Sequence, residues 1–305
     1  MLYIKLENEI RKNDNRLTFF YNKFYNLKYR LVKLREEKIE NGDVVFLPNL
    51  EKYTYEKLSK YLKVKGITKA CISEVLNNDK GFREFLKDNN IEILDGKWLF
   101  RHMAFDVVEY ICNLKKEKIV YQEVSILSND IDRILKQIIF DLAKEVKLIN
   151  LVTQNENKFK KIEKELYDDH GIILNINNNY QKSLLKSDII LNFDFEEDEL
   201  NNYNINSKAS IINFYNEIDI KEKMFSGINV NFFDVTIPIK YIRESIRFKE
   251  FNNAIFYESL IYKKTSPENI LKQIKIDKIN INFLIGKNGI IRKNEYLKLS
   301  KKIAN

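Results

Sequence analysis

Between Glu123 and about Ile218 the chain alternates strand-like and helix-like runs, and this alternation limits the available folds more than any other feature. Val124-Ser125-Ile126-Leu127 reads as a strand and Ser128-Asn129-Asp130 as a turn. Ile131, Ile134, Leu135, Ile138, Ile139 and Leu142 then recur at helical spacing. A second strand is expected at Leu148–Thr153, a helix from about Asn157 to Tyr167, and further strands at Ile172–Ile176, Asp188–Asn192 and Ala209–Phe214. Apolar strands separated by helices are joined by crossovers rather than hairpins, so they pair in parallel.

A smaller alternation precedes it. Asn41-Gly42-Asp43 introduces Val44-Val45-Phe46-Leu47, stopped by Pro48, and strands follow at Ala70–Ser73 and Ile91–Leu94 with helices between them. This reads as a three-stranded parallel unit of the flavodoxin-like sort. Trp98 to Leu114 reads as one long amphipathic connecting helix. After the larger unit, an apparent strand at Val230–Ile237 is followed by helices at about Ile246–Tyr262 and after Ser266-Pro267-Glu268. Apolar runs on both sides of Gly286-Lys287-Asn288-Gly289 then read as a β-hairpin. The expected division is an N-terminal extension at 1–40, a small α/β domain with its connecting helix at 41–118, a larger parallel-sheet domain at 119–218 and a C-terminal α+β segment at 219–305.

Charge and cysteine content narrow the functional classes. The net charge of +8 comes from 52 basic residues interleaved with 44 acidic ones, so it describes a mixed surface rather than a phosphate-binding stripe. Phe19, Phe20, Tyr21, Phe24, Tyr25 and Tyr29, with Arg16, Lys23, Lys28 and Arg30 among them, could stack single-stranded nucleic acid. Phe20, Phe24, Leu27 and Leu31 also fit one face of a packed helix, with charges on the other, which is the favoured reading. Cys71 and Cys112 stand in apolar surroundings, as buried free thiols do. The two histidines, His102 and His170, are far apart, so no metal site is expected. The absence of a secretory signal at Met1–Arg11, and of a continuous apolar run long enough to span a bilayer, reads as a cytoplasmic protein without a membrane partner.

From Glu123 to Ile218, roughly a third of the chain, the order and lengths of the elements resemble the NAD(P)-binding Rossmann-like domain of the shikimate dehydrogenase and glutamyl-tRNA reductase type. That resemblance implies a pyrophosphate cradle at the first strand-to-helix turn. In the family three glycines serve a tight turn, a close backbone approach and helix packing; here the positions hold Ser128, Asp130 and Arg133. Asp130 is the expected obstacle, because a carboxylate at a helix N-terminus takes the place of a phosphate. At an effective dielectric of about 20, two unit charges about 4 Å apart repel by roughly 4 kcal/mol, nearly a thousandfold in affinity. Ser128, Asn129 and Asp130 are thus candidate, degenerate cofactor-binding residues. Thr153, Gln154 and Asn155 end the second strand where an acid would select NAD, and with Lys158 nearby they would suit the 2′-phosphate of NADP. Asn192 and Asp194 end the strand that flanks the nicotinamide in the family.

No stretch matches the family's catalytic Lys and Asp motifs. The local candidates for proton transfer are Asp95, Lys97, Arg101 and His102, at the start of the connecting helix. Three functions stay open. The favoured one is a non-catalytic or ligand-sensing protein with a degenerate dinucleotide site and an unknown small molecule in the interdomain cleft. The others are an NADP-dependent oxidoreductase of the shikimate dehydrogenase-like type and a single-stranded nucleic-acid-binding protein. A homodimer is compatible with the class, although no stretch displays one.

Overall fold

Apolar strands alternating with helices do pair in parallel in this chain, and they do so twice. The computed structural model describes residues 1–7, 33–220, 225–242, 248–262, 265 and 269–299. The aromatic and basic stretch around Phe19–Tyr29 and the Ser266-Pro267-Glu268 helix start lie outside the described residues. The chain groups into two units, Met1–Trp98 with Ile237–Asp277, and Leu99–Thr236 with Lys278–Asn305. Residues 219–305, expected as one segment, are therefore shared between them.

In the first unit, β1 (Leu2–Leu6), β2 (Arg35–Ile39), β3 (Gly42–Leu47), β4 (Lys69–Ile72) and β5 (Glu92–Leu94) form one sheet in the order β2-β3-β1-β4-β5. The sheet is larger than the three strands expected. Leu2–Leu6, assigned by sequence to an N-terminal extension, is its central strand and pairs in parallel with both β3 and β4. The edge strand β2 runs antiparallel to β3. Its sequence, Arg-Glu-Glu-Lys-Ile, is almost wholly exposed and hides its strand character because charge is what an unpaired sheet edge tolerates. Helices α1 (Lys52–Lys65) and α2 (Lys80–Asp88) bury Leu58, Leu62, Phe82 and Leu86 against Leu2, Ile4, Val45 and Ile72. The helix Asn253–Tyr262 is buried from Ala254 to Ile261, the polar Glu258 and Ser259 included, and packs on β4 and β5. Tyr3 Oη meets Ser259 Oγ at 2.8 Å there.

The expected connecting helix is broken at Met103 into Lys97–His102 and α3 (Ala104–Lys115). In the second unit β6 (Glu123–Leu127), β7 (Leu148–Val152), β8 (Asn175–Asn177), β9 (Ile189–Asn192), β10 (Ser210–Asn213) and β11 (Ile228–Val230) form a sheet in the order β11-β10-β9-β6-β7-β8. Every pair in it is parallel. Counted from β6 this is 3-2-1-4-5-6, the order of Rossmann-like doubly wound sheets. Helix α4 (Arg133–Glu145) buries Leu135, Ile138, Ile139 and Leu142 along one face, each worth about 1.5–3 kcal/mol when fully removed from water. Helix α5 (Glu156–His170) buries Phe159, Ile162 and Leu166 and ends at Gly171, whose φ of +66° suits glycine.

The single strand expected at Val230–Ile237 is two. β11 ends at Val230, and β12 (Phe232–Val235) joins β13 (Ile281–Gly286) and β14 (Gly289–Ile290) in an antiparallel sheet. Asn231 marks the change of sheet: its backbone N–H donates to Ile285 and its side chain accepts from Asn213. The hairpin forms as expected, with Gly286 opposite Gly289. Both cysteines are free and buried, and burial pushes the Cys112 thiol up to about 12. Among the described residues no helix is long and apolar enough to cross a membrane.

Candidate functional site

A doubly wound sheet leaves a crevice where the strand order reverses, because the crossovers on either side of that point leave toward opposite faces. In the second unit this place lies beyond the carboxyl ends of β6 and β9, with β7 beside them. Ser128–Asp132, Thr153–Asn155 and Asn192–Asp194 all emerge there.

Helix α4 begins later than its apolar period suggests. Asp132 caps it, accepting from Leu135 N at 2.8 Å, and Arg133 is the first helical residue. Asp130 therefore stands in the turn, ahead of the helix. Its side chain is 75% exposed and ion-paired with Lys158 at 3.1 Å, and one of its oxygens accepts from Ile131 N at 2.8 Å. The Ile131 amide and then Lys158 hold its carboxyl below the usual carboxylate range. The expectation that Asp130 blocks the cradle is thus corrected, since its carboxylate faces water.

The anion on the cradle is Asp194. Asn129 N donates to both of its carboxylate oxygens at 2.9 Å, Asp130 N donates to Oδ2 at 3.2 Å, and Ser128 Oγ lies 2.8 Å from Oδ2. Two backbone amides and a hydroxyl converging on one carboxylate form an anion nest already filled. The placement of Asp194 follows from its neighbours. Phe193 N bonds Leu127 O at 3.0 Å, and Asn192, the last residue of β9, turns its side chain onto Phe195, accepting from N at 2.9 Å and donating to O at 3.0 Å. This bend leaves Asp194 facing the β6 turn. Asn192 is itself buried and also donates to Asn213 Oδ1 at 3.2 Å, so it faces the sheet interior rather than an open crevice.

The end of β7 is tied into the same network. Asn129 is the hub: its Oδ1 accepts from Gln154 N at 2.8 Å, its carbonyl from Asn155 Nδ2 at 3.0 Å, and its Nδ2 donates to Glu199 Oε1 at 3.3 Å. Gln154 Nε2 donates to the same Glu199 oxygen at 2.5 Å. Thr153, fully buried, accepts from Asn155 N at 3.0 Å. The structure therefore brings Ser128, Asn129, Asp130, Thr153, Gln154, Asn155 and Asp194 together, largely by bonding them to one another.

The other candidates separate. Asp95 and Lys97 belong to the first unit, where Asp95 accepts from Lys97 N at 3.1 Å. Arg101 and His102 belong to the second. Arg101 reaches the helix cap, with its guanidinium 2.9 Å from Asp132 Oδ2 and 5.3 Å from the Phe193 ring centroid. His102 is buried. Asp132 and Glu199 were not among the sequence candidates. Asp three residues before Leu135 was a legible capping signal. Glu199 was hidden in an acidic run, Glu196–Glu199, that a helix start already explained. Among the described residues no group of three or more His, Cys, Asp or Glu could hold a metal ion.

No protein-family model and no curated protein matches the chain. Similar solved structures include L-tryptophan dehydrogenase from Nostoc punctiforme, at 8% identity and a TM-score of 0.34, covering 97% of this chain and 80% of that one. Aspartate transcarbamoylase from Trypanosoma cruzi aligns at 9% identity and a TM-score of 0.33, over 85% and 83%. Shikimate 5-dehydrogenase from Listeria monocytogenes aligns at 12% identity and a TM-score of 0.23, over 63% and 67%. These likenesses are too loose to bear on function, and the Rossmann-like assignment rests on the strand order of the second unit.

Proposed function

We propose that this chain is a non-catalytic or ligand-sensing protein that keeps a Rossmann-like scaffold and does not bind a dinucleotide in the ordinary pose. The observation that carries this reading is the Asp194 carboxylate on the Asn129 and Asp130 amides, where a pyrophosphate would have to sit. The groups that would favour NADP are engaged as well: Lys158 pairs with Asp130, and Gln154 with Glu199. Nothing at the site favours the oxidoreductase reading over this one. Calorimetric titration of the protein with NAD, NADP and their reduced forms tests it. The expected result is no heat of binding at ligand concentrations up to about 1 mM, an affinity weaker than about −4 kcal/mol. Micromolar binding of any of the four would overturn it.

A further inference from the structure

We infer that the β8 edge of the second unit's sheet, with the end of α5 beside it, docks a second copy of this chain, strand to strand about a twofold axis. The inference is independent of the dinucleotide reading. It starts from an edge without protection. β8 is the last strand of its sheet, and among the described residues it pairs only with β7. Asn177 turns its carbonyl inward to Thr153 N at 3.2 Å, so the alternation of the ladder turns the N–H and C=O of Ile176 outward. Sheet edges are normally guarded by charge, as β2 is by Arg35, Glu36, Glu37 and Lys38. At the opposite edge of the same sheet, β11 is covered by β13. β8 has neither guard. From Gly171 to Gln181 there is no Asp, Glu, Lys, Arg or His, the longest such run in a chain that is 31% charged.

Apolar surface gathers at the same place. Ile173 is 74% exposed and Tyr167 62%, and with Glu163, Lys164, Ile172 and Leu174 they line a groove of about 250 Å³ beside the strand. Charge then selects the occupant. Helix α5 runs opposite to β8, with Lys160 and Lys161 exposed in its first half and Asp168 and Asp169 exposed in its last turn. Acids are unfavourable beside the carbonyl end of a helix, so α5 itself gains nothing from them. Two copies joined antiparallel at β8, with Ile176 exchanging both backbone bonds with its own counterpart, form one continuous sheet. Both α5 helices lie on the same face of it, antiparallel, and the acidic end of each faces the basic half of the other. Parallel pairing would set like charges together, and an extended peptide from another protein would bring no such helix. Three-residue strands alone bury too little for a stable dimer, which needs roughly 1,200 Å² in total. Ile173 and Tyr167 therefore carry the apolar part of the contact.

Sedimentation of the full chain at about 100 μM, about a hundredfold above a micromolar Kd, provides the test. The expected mass is twice 36.5 kDa, falling toward one copy on dilution. Two variants locate the contact. Ile173→Lys places a charge on an exposed side chain and leaves the fold alone. Ile176→Pro removes an outward backbone donor, which an edge strand tolerates. Each is expected to weaken dimerisation at least about tenfold. A chain that stays at 36.5 kDa would overturn the inference, and so would a dimer that Ile173→Lys leaves intact. Neither result touches the dinucleotide reading, which calorimetry decides separately.

Discussion

Asp188 and Asp194 flank the same strand, β9, and each reaches across to β6, yet they do different work. At the amino end, Asp188 is 7% exposed and accepts from Glu123 N at 3.0 Å, at the first residue of β6. Beside it Ser125 and Ser187 share a hydrogen bond at 2.5 Å. At the carboxyl end, Asp194 is half-buried and accepts from the turn that follows β6. One carboxylate satisfies a strand start; the other satisfies the turn at the carboxyl end, the side on which doubly wound sheets place ligands. The same device, a carboxylate satisfying backbone amides of the neighbouring strand, stands at both ends of β9, and only at the carboxyl end does the proposed function give it an excluding role.

Substitutions can break this comparison, and the largest effect belongs to the buried partner. Asp188→Ala removes a buried, charged acceptor from the part-buried Glu123 N–H, and the expected cost in chemical denaturation is about 2–3 kcal/mol. Asp194 is itself half-buried and one of its donors, Asp130 N, is exposed, so the expected loss for Asp194→Ala is smaller, about 1 kcal/mol. Equal losses at the two positions would mean that the carboxyl end is as closed and as structural as the amino end. The smallest effect concerns Asp130, the residue that points away. Its folded-state pKa is depressed, so what it contributes to stability is present above the ordinary carboxylate pKa and is lost as pH falls through the lower folded value. Lys158→Ala is expected to move the Asp130 pKa upward, toward its ordinary value, as read by carboxyl carbon NMR shifts. No change would mean that the Ile131 amide alone sets it.

Much of this arrangement was legible in residue order. Strand-helix alternation predicted the parallel pairing, and Ser128–Asp130, Thr153–Asn155 and Asn192–Asp194 lie at the ends of β6, β7 and β9 where the strand order placed them. The substituted glycines drew attention to the turn after β6, where a carboxylate does accept from the backbone amides. What could not be read was which carboxylate fills it. Asp130 is adjacent in sequence to the amides, whereas Asp194 reaches them only after the Asn192 side chain bends the chain at Phe195. That is a tertiary contact with no periodicity to announce it. The strand Leu2–Leu6 failed to read as central for a similar reason: its partners β3 and β4 lie far along the chain. The charged edge strand β2 carries none of the apolar alternation by which half-buried strands are recognised.

The most direct measurement of whether this chain excludes dinucleotides is a crystal structure of the protein grown in excess NADP. The account predicts no diphosphate at the turn after β6, with an Asp194 carboxylate oxygen still about 3 Å from Asn129 N, the usual hydrogen-bond separation. A diphosphate bound to the Asn129 and Asp130 amides, with the Asp194 side chain swung away, would contradict it.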